Sequence, residues 1–229
     1  MTASEYIVVS IIIIALVAFY TGFFSNAAII KRKLKKATGV KISMFMEGEV
    51  AKVVGQLKYI NPPLIAPLSK RKCSYYHIIV EQRVSTGKSS YWDTIIEEEK
   101  AQDVVIKDGN SYAFIETTLI KSHLIPDQHY SSGTFNDTTP ELETFLARHD
   151  LKSVNFLGMN KTLRYSEGVL EEGEVVAVLG KGNWKRKAEV KLDIPTEKIL
   201  VISKKDDEEG VYLSDDPITT KENPTQTGF

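Results

Sequence analysis

Four histidines, one cysteine and several runs of acids are the residues of this chain with the means to do chemistry. Structural zinc sites use close pairs such as Cys-x2-Cys or His-x3-His, which set two donors on one side of a metal. His77, His123, His129 and His149 show no such spacing, and Cys73 stands alone. The nearest thing to a ligand cluster, His123, Asp127 and His129, has the composition of an exposed polar loop. No metal and no cofactor is expected. Gly180-Lys181-Gly182 lacks the further glycines and the following helix that a phosphate-cradling loop needs.

Nucleophilic catalysis has one candidate. Cys73 follows Lys70, Arg71 and Lys72, and neighbouring cations lower a thiol's pKa, so an enzyme with Cys73 as nucleophile is one alternative. Its place at the entrance of a strand equally suits a small buried thiol. No Gly-x-Ser-x-Gly elbow is present, and Glu97-Glu98-Glu99 reads as a solvated charge run that ends a strand. No catalytic residue is assigned. Aromatic side chains are better candidates for binding. Tyr75 and Tyr76 fall on opposite faces of one strand, and Trp92 lies on its hairpin partner, where the three can line a partner-binding groove or pack as cross-strand pairs. The segment 181–191, KGNWKRKAEVK, mixes cations with Trp184 and reads as a solvated hairpin.

The elements that position these residues begin with an apolar run. The chain has 229 residues with 29 basic and 30 acidic side chains, enough length for one or two domains. A single cysteine excludes an intramolecular disulfide. Tyr6–Phe24 carries no formal charge and is apolar on every side; at about 1.5 Å per residue it would span about 28 Å, so a single transmembrane helix is expected. Lys31, Arg32, Lys33, Lys35 and Lys36 follow it, against Glu5 ahead of it. By the positive-inside rule the protein is expected to be a single-pass membrane protein with its soluble domain in the cytoplasm, and the five cations are candidates for contact with lipid headgroups. The rest of the chain is mildly acidic, which argues against nucleic acid as a partner.

From Gly48 the pattern changes to short segments of period two separated by turn signals. Strands are expected at 49–59, 74–84, 91–97, 104–106 and 111–115, then at 173–180, 189–193, 199–203 and 211–213. Thr139-Pro140-Glu141 reads as a helix start, and Leu142, Phe145 and Leu146 give that helix one apolar face through about His149. The expected fold class is α+β, mainly β: one β-rich soluble domain with a short amphipathic helix, preceded by the membrane helix. The segments are 1–30 (membrane helix and flanks), 31–47 (basic juxtamembrane linker), 48–214 (β-rich domain) and 215–229 (disordered tail). Gly48-Glu49-Val50-Ala51-Lys52-Val53-Val54-Gly55 resembles Gly173-Glu174-Val175-Val176-Ala177-Val178-Leu179-Gly180. The repeat is either coincidence between two glycine-flanked strands or two related strands paired or symmetrically placed.

Several segments together resemble one family. Ala66-Pro67-Leu68-Ser69, Cys73 and Tyr75-Tyr76 are similar to the A-P-L-S-x-x-x-C-x-Y-Y signature of the GIDE domain. Trp92, Asp108-Gly109, Phe145-Leu146-x-x-His149, 163–170 and 172–180 follow in the family's order, so the likeness covers roughly 48–203. The family includes membrane-anchored E3 ubiquitin ligases whose activity resides in a zinc-binding RING. These 229 residues contain no RING, so the resemblance implies a RING-less, prokaryotic-type member. The function expected is a membrane-anchored, non-catalytic module that binds a membrane-proximal protein or the lipid bilayer. A component of a ubiquitin-like conjugation system is the alternative that the resemblance implies.

Overall fold

The structure is a computed structural model that describes Tyr6 and residues 25–132, 138–155, 157–205 and 210–221. Outside the described residues lie the rest of the apolar run, 133–137 of the polar stretch after Asp127, 206–209 of the charged turn, and 222–229 of the tail. In chain order the strands are β1 (Val50–Lys58), β2 (Leu64–Ile65), β3 (Lys72–Cys73), β4 (Tyr75–Ser85), β5 (Ser90–Ala101), β6 (Val105–Asp108) and β7 (Ser111–Ile115). They continue with β8 (Ile120–His123), β9 (Gln128–Ser131), β10 (Leu163–Leu170), β11 (Val175–Arg186), β12 (Lys198–Ser203) and β13 (Val211–Ser214). The helices are α1 (Asn26–Lys36), α2 (Pro140–Arg148) and the single turn α3 (Lys187–Val190).

Five strands close a barrel. β1 pairs with β6, β6 with β7, β7 with β12, β12 with β11, and β11 returns to β1, antiparallel throughout except for β7–β12. This is the Greek-key closure of OB-type barrels. Period-two alternation sends Ala51, Val53, Leu57, Ile106, Ala113 and Ile115 into one fully buried core with Val176, Val178, Leu200 and Ile202. On the outer side of β6, β7 and β12, the face such barrels commonly offer to ligands is covered by the chain itself, because Leu192 and Ile194 pack there on Val105, Ile199 and Val201. β13 continues along the edge of β11, with β8 parallel beside it.

The second sheet has the order β5-β4-β10-β9, and α2 covers one of its faces. Thr139 caps α2 by accepting from the Leu142 N–H at 3.2 Å, and Leu142, Phe145 and Leu146 are buried on Tyr76, Ile78, Val80 and Ile96. The small β2–β3 pair leads into this sheet through the loop from Ala66 to Arg71. Glu167, completely buried on β10, organises that loop by accepting from the N–H groups of Leu68 at 3.0 Å and Ser69 at 2.8 Å.

The expected fold class needs one correction. Its mainly β character holds, with three short α-helices among the described residues. The membrane-spanning helix expected ahead of the domain over Tyr6–Phe24 is not found: among the described residues no helix is long and apolar enough to cross a membrane, and 7–24 lie outside them. The basic block expected as a juxtamembrane linker belongs instead to the 11-residue α1, which is amphipathic. Ile30 and Leu34 bury one side of α1 against Ala177 and Tyr212. Lys31 pairs with Asp216 at 2.8 Å, and the Lys33 ammonium lies 4.5 Å from the Tyr212 ring centroid. The tail expected to be disordered from Asp215 begins as a packed strap: Asp216 and Thr219 are buried, and the Lys52 ammonium donates to the carbonyls of Thr219 and Lys221. The strand expected at 189–193 is α3 and its following loop.

The internal repeat is a structural pair. β1 and β11 lie side by side, with Ala51 opposite Gly180 and Gly55 opposite Val176. Each copy closes on a glycine where another backbone comes close: a Cβ at Gly55 would stand 2.8 Å from the Lys107 carbonyl oxygen, and one at Gly180 would stand 2.6 Å from that of Ser203. Neither contact is with a flexible side-chain end, so relief requires the sheet to move. Gly180→Ala is expected to lower unfolding free energy by about 1–3 kcal/mol in urea titration; an unchanged midpoint would contradict the close approach.

Candidate functional site

The site is built by three consecutive residues of β4 facing three consecutive acids of β5. Tyr75 lies opposite Ala101, Tyr76 opposite Lys100 and His77 opposite Glu99, and each reaches the acid two residues off its own pair. The Tyr75 hydroxyl donates to Glu99 at 2.5 Å, the Tyr76 hydroxyl donates to Glu98 at 2.6 Å, and His77 Nε2 meets Glu97 at 2.9 Å. Diagonal neighbours across a pleated pair are within reach of long side chains. The run read from sequence as a solvated charge run ending a strand lies within β5 near its end, with its three carboxylates assigned to alternate faces. Glu98 faces α2, where His149 Nε2 approaches at 2.8 Å and Arg148 pairs at 2.8 Å. Glu97 and Glu99 face the other side, which no helix of this sheet covers.

On that side the sheet meets the barrel and α1 across a cleft of about 680 Å³. Ile79, Ile120, Leu124, Ile29, Ile30 and Tyr212 supply its apolar lining; Glu97, Glu99, His77, Ser122 and His123 supply most of the polar groups. Ser122 also contacts the Tyr75 hydroxyl at 2.7 Å, so β8 is tied to β4 at the cleft wall. His123 Nε2 is sealed from solvent with no hydrogen bond, 3.7 Å from the Asp216 carboxylate. Burial, with help from the Lys31 charge, holds the His123 pKa below its ordinary value. The volume and the mixed lining are those of a small-ligand or side-chain pocket.

The candidates from sequence separate sharply. Tyr75 and Tyr76 do lie on opposite faces of β4, but they are 1% and 4% exposed, so neither ring can line a partner-binding groove. Burial pushes both phenols' pKa up, with the adjacent glutamates adding to the effect, so both remain hydrogen-bond donors. Trp92 is half-buried on the uncovered face, where the Arg164 guanidinium stacks 4.2 Å from its ring centroid and is itself bonded to Glu81 at 2.5 and 2.9 Å. At the far end of this face the β4–β5 hairpin tip frames a shallow recess with Arg83, Ser85, Ser90 and Thr162. Of the cations assigned to lipid headgroups, Lys31 and Lys33 are spent on Asp216 and Tyr212, Arg32 is half-buried, and Lys35 and Lys36 are exposed. The Trp184 indole donates to the Phe45 carbonyl at 3.0 Å and packs against the barrel core, so segment 181–191 is no free hairpin.

Cys73 is fully buried, and burial pushes its thiol up to about 12, reinforced by the charges of Glu167 and Glu171. The Arg71 charge acts the other way without cancelling this, and Arg71 is itself engaged by Asp127 at 3.2 Å and by Glu171 at 2.5 Å. Among the described residues no group of three or more His, Cys, Asp and Glu is placed to hold a metal ion. Asp127 is committed to Arg71 and to the Val169 N–H, His123 lies beside Asp216, and His129 is exposed on β9. No protein-family model, curated protein or solved structure matches this chain.

Two predictions follow from the titratable groups. Native Cys73 should be inert to an aromatic disulfide reagent at pH 8 and react stoichiometrically in denaturant; fast labelling of the folded protein would reopen the nucleophile reading. Asp215 accepts from the Ile125 N–H at 2.8 Å, and burial, with Glu174 and Asp127 nearby, pushes its carboxyl up to about 6. A carboxyl raised in this way favours the fold below its unfolded value of about 4, and that contribution is lost as pH rises through about 6. Asp215→Asn keeps an acceptor and removes the charge. It should match the parent near pH 4 and exceed it by about 1–2 kcal/mol at pH 8, read from urea midpoints across pH.

Proposed function

We propose that this chain is a non-catalytic, GIDE-like protein-interaction module that binds a polypeptide partner on the uncovered face of the four-stranded sheet. The observation that carries this reading is the asymmetry of that sheet. One face is sealed by α2, while the other runs from the hairpin-tip recess past the Trp92–Arg164 stack into the cleft against α1. A half-exposed tryptophan stacked by arginine is a common anchor of protein interfaces. The buried thiol removes the main support for covalent chemistry at Cys73.

The resemblance to the GIDE family is supported by where its signature residues fall. Leu68 and Ser69 meet Glu167, Arg71 meets Asp127 and Glu171, and Cys73 and Tyr76 pack in the same core, so segments about 100 residues apart converge on one joint.

The test places a photo-crosslinking amino acid at Thr94, exposed on the uncovered face. Irradiation of cells producing the full chain should give one discrete adduct, and the added substitution Ile79→Arg, which fills the neighbouring surface with a charge, should abolish it. Absence of an adduct, or an adduct indifferent to Ile79→Arg, would overturn the proposal.

A further inference from the structure

The cleft carries two carboxylates whose positions are already set. Glu97 has one oxygen held by His77 and Glu99 has one held by Tyr75, so each retains a second oxygen for an incoming donor. Apolar walls from Ile29, Ile79 and Ile120 stand beside them, and the charged groups of the lining are otherwise limited to Lys121. His123 also lines the cleft, with its Nε2 sealed from solvent 3.7 Å from the Asp216 carboxylate. The acceptors are single oxygens rather than a free bidentate edge. That geometry suits the point charge of an ammonium better than the planar fork of a guanidinium. A long methylene stem entering beside isoleucines also buries apolar surface, as lysine stems do elsewhere.

We infer that the cleft receives a protonated amine on an unbranched apolar stem, presented by the polypeptide partner as a lysine. This rests on the interaction-module reading and names what that face recognises. The ammonium sits between Glu97 and Glu99, and the stem lies on the isoleucines.

The test uses n-hexylammonium, with hexanol and hexanoate as stem-matched controls, and the full chain labelled at isoleucine methyl groups. The Ile29, Ile79 and Ile120 signals should move saturably with n-hexylammonium, at least tenfold more weakly with hexanol, and not at all with hexanoate. Glu97→Gln/Glu99→Gln should weaken n-hexylammonium at least tenfold and leave hexanol unchanged. If the double variant does not fold, Glu97→Gln alone, at a carboxylate 61% exposed, should weaken it at least threefold. Equal binding of hexanol, or folded variants that bind n-hexylammonium as the parent does, overturns the assignment. A Thr94 adduct that survives such a result would confine the failure to the lysine, whereas loss of the adduct itself removes the interaction reading.

Discussion

Two adjacent tyrosines on one strand cannot face the same way, and the architecture is organised around that restriction. Tyr75 points into the barrel core and Tyr76 into the core between sheet and α2, so β4 is a wall shared by two hydrophobic bodies. Each hydroxyl then needs a partner, since a buried phenol left unbonded loses hydration without recompense. Consecutive glutamates on β5 obey the same alternation, and Glu99 and Glu98 meet Tyr75 and Tyr76 on their respective sides. His77 and Glu97 continue the ladder to the surface. Hydrogen bonds to charged groups contribute about 1.5–3 kcal/mol each, so this ladder aligns β4 and β5 more strongly than a neutral pair of strands would be aligned.

Much of this arrangement was legible in the sequence because it depends on period and local chemistry. The opposite facing of Tyr75 and Tyr76, the Thr139 cap and the apolar face of α2 are consequences of pleat, capping and helical spacing. The repeat offered pairing of β1 with β11 as one of its two readings. What could not be read is what depends on distant partners. Glu97-Glu98-Glu99 has the composition of a solvated charge run, and only the hydroxyls and imidazole opposite place it within β5. The basic block after the apolar run has the composition of a headgroup-binding flank, yet Asp216 and Tyr212 come from the far end of the chain to take up Lys31 and Lys33. Hydropathy averages a segment over its own residues and is blind to such partners.

The segment from Ala66 to Tyr76 gains a physical reading from the same logic. Its Leu68-Ser69 backbone is held by Glu167, and its Arg71 is clamped between Asp127 and Glu171. A carboxylate buried beneath two N–H donors cannot be exchanged for an apolar side chain without orphaning both. The cysteine contributes volume rather than reactivity, because an uncharged thiol suits a dry core where a thiolate would be expelled. This segment thus specifies a joint of the fold. Chemistry at the joint itself would require loosening the contacts that define it.

The cleft occupies the place where this joint leaves surface exposed, and its rigidity bears on how it can bind. A glutamate on a free surface loses rotamer entropy when it fixes a ligand, a cost of up to about 2 kcal/mol for a long side chain. Glu97 and Glu99 have already been ordered by His77 and Tyr75 during folding, so that loss is charged to the fold and not to the complex. On the proposed reading the same ordering makes the site selective, because carboxylates held in place repel an anion at close range. On that reading, a module built in this way needs only a modest area of contact to discriminate by charge, and the Trp92–Arg164 stack farther along the face would extend that contact to a longer polypeptide.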